Sequence, residues 1–220
     1  MGRRKVSIAL LAALFFSTLA PPASGRSSNN GAISKSFCGV ERWDVKTLSD
    51  PARKQVNFHP LATNVNHLRH LARPSSVGIY DSRKRPVEFR TYKVRAQVIA
   101  ATIEDDHDIH LIISVPGTRN ATMITEFPNP RCIASAFKRN VMTRARSAML
   151  ANCGSIPTGT FVNLKGSVTM TGVGFWDIKH GQTGVAPNAI ELHPVLSIKG
   201  TCTRRRASAS QGGRSGREDS

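Results

Sequence analysis

FRTYKVRAQVIAATI, residues 89–103, decides the fold. Tyr92, Val94, Ala96 and Val98 alternate with Lys93, Arg95 and Gln97, the two-residue period of a strand with one buried face. After Val98 the apolar phase moves to Ile99, Ala101 and Ile103. A one-residue slip inside one long strand is what a β-bulge produces. A long, kinked first strand is how an OB-type barrel begins.

The chain after it keeps to that plan. The acidic turn EDDHD (104–108) leads into HLIISV, a second strand that stops at Pro116-Gly117, and ATMITEF (121–127) makes a third, ended by Pro128-Asn129-Pro130. Ser135 to Leu150 reads as a helix capped by Ser135, with Phe137, Val141, Ala145, Ala148 and Met149 on its apolar face. GSVTMTGVGFWD (166–177) is a fourth strand, with Gly172 and Gly174 where a barrel strand would bend. IELHPVLSI (190–198) is the fifth, with Leu192, Leu196 and Ile198 inward. The order predicts a mainly β protein with some α: an OB-like five-stranded barrel over 88–199 with a helix between its third and fourth strands.

Residues 37–87 form an N-terminal extension in this reading. Glu41 to Thr47 reads as a short strand. Pro60 to Ala72 reads as an amphipathic helix through Leu61, Val65, Leu68 and Leu71, with His67 and His70 on its polar side. Pro74 to Pro86 is a linker carrying Arg83-Lys84-Arg85.

The ends lie outside the folded body. Arg3, Arg4 and Lys5, the apolar run Val6 to Ala20 and the small residues Ala23-Ser24-Gly25 form a signal peptide over 1–25, which predicts an exported protein, periplasmic or secreted. The run is too short for a membrane span, so no transmembrane segment is expected in the mature chain. Residues 26–36 read as a flexible leader and 200–220 as a disordered basic tail. Export makes Cys38, Cys132, Cys153 and Cys202 disulfide candidates. A helix between Cys132 and Cys153 would hold those two apart by about 22 Å, far beyond bridging distance. Two of the three connectivities remain; the favoured one pairs Cys38 with Cys132 and, as its second bridge, Cys153 with Cys202, and no CxxC spacing points to zinc.

Lys and Arg number 31 against 14 Asp and Glu, a formal charge of +17. Such a body attracts polyanions, nucleic acid or an envelope polymer among them. OB barrels bind nucleic acid with cations and stacking rings, which points to Arg90, Lys93, Arg95, Arg139, Arg146 and Trp176. Phosphate-loop and Gly-x-Ser-x-Gly signatures are lacking, which removes two enzyme classes.

Two acidic features suggest other chemistry. The turn's Asp105, Asp106 and Asp108 repel one another, and a divalent cation would relieve them. Asp acids also gather in turns for backbone reasons. Glu191 and His193 share the outward face of the fifth strand. If that strand pairs with the first, they approach Asp108 and His110 near one barrel end. A His/Glu/Asp set with a cation suits hydrolysis of a phosphodiester. The alternative is structural, with His193-Pro194 ending a strand edge and Gly181, Gly184 and Pro187 turning the loop before it.

CGVERWDVKT, EDDHDIHLII, EFPNPRC and GVGFWDIKHGQTGVAPNAIELHPVLSI together resemble a family of small exported bacterial proteins of unassigned activity, over roughly residues 38–198. That resemblance implies an OB-like barrel and no reaction. The first three strands are also distantly similar to staphylococcal-type secreted nucleases, which implies a calcium-binding acidic turn at 104–108. The function expected is an OB-like binding protein for an anionic ligand, with a cation-dependent hydrolase or a structural envelope protein as alternatives.

Overall fold

A computed structural model describes residues 37–205. In chain order its elements are α1 (Trp43–Lys46), β1 (Asn57–Asn64), α2 (Val65–Arg69), β2 (Arg90–Ile103), β3 (Ile109–Ser114), β4 (Thr122–Phe127), α3 (Arg139–Cys153), β5 (Val162–Lys165), β6 (Ser167–Trp176), β7 (Ile190–Gly200) and β8 (Thr203–Arg204). β2 pairs with both β3 and β6, β3 with β4, β4 in parallel with β7, and β7 with β6, so five strands close into a barrel. This is the OB circuit that the alternation predicts. The β2–β3 register slips between Val98 and Ala100, at the expected bulge. On either side of it Val94, Ala96 and Val98, then Ala101, enter the core with Leu111, Met123, Phe127 and Leu192.

Gly172 and Gly174 sit at two register shifts between β6 and β7. A Cβ at Gly172 would lie 2.8 Å from Leu192 Cβ, and one at Gly174 only 2.7 Å from Tyr92 Cε2. Those approaches let the wall bend sharply, and only glycine permits them. α3 packs Ala145, Met149 and Cys153 against the barrel core.

Several elements differ from expectation. Residues 43–46 are helical, where a strand is expected. Asn57–Asn64 is a strand, parallel to β2, where the helix was expected to begin, and only Val65–Arg69 is helical. Its pairing with β2 breaks between Asn57 and Leu61, the stretch that contains Pro60, which has no N–H to donate. His67 and His70 are both exposed. α3 starts at Arg139 behind Lys138, whose φ is 66°, so Ser135 caps nothing. β5 and β8 are further strands, paired with each other. Residues 200–205, read as tail, therefore belong to the fold. The signal peptide, the leader and the rest of the tail fall outside the described residues.

Both expected disulfides form: Cys38–Cys132 with Cα atoms 5.4 Å apart and Cys153–Cys202 with 4.7 Å. Among the described residues no helix is long and apolar enough to cross a membrane. Two buried ion pairs hold the N-terminal segment, one to the start and end of barrel strands and one within itself. Arg42 donates to Glu88 Oε1 at 2.8 Å, to Oε2 at 2.7 Å and to the Trp176 carbonyl at 2.7 Å. Arg83, placed in the linker by its sequence, donates to both Asp50 oxygens and to the Val45 carbonyl.

Candidate metal centre

Strand alternation builds the site. β7 turns Ile190 and Leu192 into the core, so Glu191 and His193 face outward. On β4 Met123 and Phe127 point in and Glu126 points out; on β3 Ile109 and Leu111 point in, and His110 points out with Asp108 just before it. His110 lies opposite Glu126, and Ile124 opposite Glu191. One stretch of outer wall thus carries Asp108, His110, Glu126, Glu191 and His193. The fifth strand reaches this wall through β4, and not by pairing with the first strand as the sequence suggested.

The wall is covered. Asp108 and His193 have 0% exposure, Glu191 and His110 1%, and Glu126 4%. Lys46 of α1 lies over the Phe175 ring and 3.7 Å from Asp177. The loop after β6 presses on β3, where Gly184 (φ +85°) leaves no room for a Cβ against Ile112.

His193 is surrounded by carboxylates. Its Nδ1 is 3.0 Å from Glu126 and 3.8 Å from Glu191, and its Nε2 is 3.5 Å from Asp108. None of these contacts has hydrogen-bond alignment. Eight buried side-chain polar atoms among the described residues lack a hydrogen-bond partner, and five belong here: Asp108 Oδ2, Glu126 Oε2, Glu191 Oε2 and both His193 nitrogens. Buried polar atoms are almost always partnered, so this concentration marks a place built for something more. His110 extends the cluster, with Nδ1 2.7 Å from Glu104 and 3.7 Å from Glu126, and Nε2 3.1 Å from the Thr183 carbonyl.

Crowding shifts the charges. Burial, then Asp177 and Glu126, push the Glu191 carboxyl up to about 8. Burial, then Asp108 and Glu126, push Asp106 up to about 7, and burial raises Asp108 as well. Burial opposes the charge on His193, but Glu126 and Asp108 outweigh it and hold the ring well above its ordinary value. Burial likewise opposes the charge on His110, yet Glu104 and Glu126 bring it to about 8. Glu126 stays below the usual carboxylate range despite its burial, because His193 and Lys46 face it.

The other predicted residues scatter. Asp105 is exposed at the turn, and Asp106 accepts the Asp108 amide at 3.1 Å, a turn contact. Arg90, Lys93 and Arg95 are exposed on β2 and Arg139 on α3. Two placements need correction. The Trp176 ring is buried in the barrel core and offers no stacking face. Arg146 turns inward to donate to the Phe127 carbonyl at 2.6 Å and the His107 carbonyl at 2.9 Å, bracing the ends of β4 and of the turn beside Asp108. Glu126, Lys46 and Asp177 were missed by sequence reasoning, and Glu104 was read only as part of the acidic turn. Counting from the Pro116-Gly117 turn would have set Met123 across from His110; the hairpin is centred on Thr118, and that register is what brings Glu126 opposite His110.

A cleft of about 620 Å³ opens beside the cluster, with Glu104, Asp106, Lys46, Trp43 and His180 among its walls. In chemical terms the carboxylates and imidazoles form a hard, N/O donor set suited to a divalent cation. Asp108, Glu126 and His193 each offer one atom, all within 4.8 Å of one another. The chain matches no protein-family model, no curated protein and no solved structure.

Proposed function

We propose that this is an exported OB-barrel protein, periplasmic or secreted, that binds a divalent cation through Asp108, Glu126 and His193. The five unpartnered buried atoms carry the reading, because a cation held by Asp108, Glu126 and one His193 nitrogen satisfies three of them and neutralises the carboxylates around it, leaving the other nitrogen's N–H for a neighbouring carboxylate. OB barrels use the face of their second and third strands, with the adjoining loops, to bind ligands. Here that face is β3 and β4 with the 104–108 turn and the loop after β6, and it is acidic. Its charge selects a cation ahead of a polyanion.

Thermal unfolding with Mn²⁺, Zn²⁺ or Ca²⁺ tests this. One of them should raise the midpoint, by about 2.7 kcal/mol of stability at a hundredfold excess over Kd. Chelator and Asp108→Asn should both remove the gain. No gain with any of the three ions, or an equal gain in Asp108→Asn, would overturn the reading.

A second reading, cation-dependent hydrolysis, draws on the cleft, which brings solvent to Glu104 and Lys46 beside the buried cluster. Its test is release of product from an activated phosphodiester that stops with chelator and in His193→Ala.

A further inference from the structure

We propose that the wall holds two divalent cations bridged by the Glu126 carboxylate, one buried and one at the floor of the cleft. This rests on the cation-binding reading above and extends it.

The first observation is that Glu126 has two faces. Its Oε2 lies against His193 Nδ1 at 3.0 Å, while its Oε1 lies 3.7 Å from His110 Nδ1. Glu126 is shared by two sets of three donors, Asp108, Glu126 and His193 in one and Glu104, Glu126 and His110 in the other. Ligand atoms about 3 Å apart span one edge of an octahedron with metal–oxygen bonds of about 2.1 Å. A carboxylate that offers one oxygen to each of two such sets is the usual bridge of a paired-metal centre, whose ions sit about 3.5–4 Å apart.

The second observation concerns His110. Its Nε2 faces the Thr183 carbonyl at 3.1 Å, and a carbonyl only accepts, so Nε2 carries a hydrogen. Its Nδ1 then faces Glu104 Oε1, 2.7 Å away, so the pair shares a proton that a metal ligated by both atoms would displace. Metal-ligating histidines characteristically donate their other N–H to a carbonyl in this way. The third observation is the concentration of donors: Glu104, Asp108 and Glu126 each offer an oxygen to one or other set, and Glu191 lies 3.8 Å from His193 beside them.

The two positions differ in access. Asp108 and His193 are sealed, whereas the Glu104 side chain is 36% exposed and lines the cleft. The buried ion is the retained, organising one. The cleft ion is exchangeable and keeps coordination positions open to water or to an anionic oxygen of a ligand, and this is how an acidic pocket would come to hold an anionic group.

Calorimetric titration of the chain with Mn²⁺ and, separately, Zn²⁺ gives the stoichiometry, and electron paramagnetic resonance of the Mn²⁺ form reads the coupling between ions. Two ions per chain with an exchange-coupled Mn²⁺ spectrum are expected. Glu104→Ala, at a half-exposed turn position, should leave one ion and an uncoupled spectrum with the disulfides and circular dichroism unchanged. Glu126→Gln should abolish the coupling. One ion per chain in the unaltered protein, or two ions unaffected by Glu104→Ala, would overturn the bridged pair while sparing the single-cation reading. Binding of neither metal would sink both.

Discussion

The two faces of one wall behave as different molecules. Along β7, Leu192 sits in the apolar core and its neighbours Glu191 and His193 sit in a crowd of carboxylates, yet all three are at most 1% exposed. The same division runs through β4, between Phe127 and Glu126, and through β3, between Leu111 and His110. Inside, burial needs nothing but shape. Outside, burial is achieved by laying residues 37–50 and the loop after β6 over ionisable groups that burial opposes. The inner face explains why the chain folds, and the outer face is there for some other reason. A fold indifferent to function would have left those positions polar and open to solvent, as Lys93 and Arg95 are on β2.

Removing the cover should break the comparison most severely. Arg42→Ala takes away the guanidinium shared by Glu88 and three backbone carbonyls, and it leaves Glu88 buried without a counter-charge. Loss of one partner from a buried pair costs about 3–5 kcal/mol. Urea unfolding should show a loss of that size. A loss below about 1 kcal/mol, the worth of an exposed pair, would mean the N-terminal segment is not held as described.

The inner face was largely legible in the sequence, because alternation, the slip at Val98 and the glycines of β6 are local signals. β1 was not. Leu61, Val65, Leu68 and Leu71 have helical spacing, but Leu61 is 47% exposed and the segment takes its structure from parallel pairing with β2, a distant partner. The outer face was half legible. Asp108, His110, Glu191 and His193 stood out as residue types, and their meeting depended on β4 running between them with Glu126. Burial of Trp176 could be read from its strand phase with Val168 and Met170, and that of Arg146 from its place on the helix face of Met142, Ala145 and Met149, although the charge of Arg146 argued the other way.

Truncation on the inner face sharpens the contrast. Leu192→Ala should cost about 2–5 kcal/mol, as buried leucines do, and leave the number of bound cations unchanged. Urea unfolding and metal titration on the one variant read both quantities. If it altered stoichiometry as strongly as Asp108→Asn, the two faces would not be separable, and the pleat would not be what insulates the cluster from the core.

The smallest effect is expected where the outer wall is left bare. Lys93 and Arg95 point to solvent on β2, two residues apart, with Thr171 and Thr169 beside them on β6. Replacing both with Ala should change stability by no more than about 0.5 kcal/mol per site, since neither is buried and neither forms an ion pair among the described residues. Retention on heparin or single-stranded DNA is the informative measurement. If this face binds polyanions, the double variant should elute earlier and show a shallower dependence on salt, because each phosphate contact contributes one released counterion to the slope. Elution identical to the unaltered chain would mean that the basic charge of β2 serves solubility, leaving the covered acidic wall as the part of the surface that recognises a ligand.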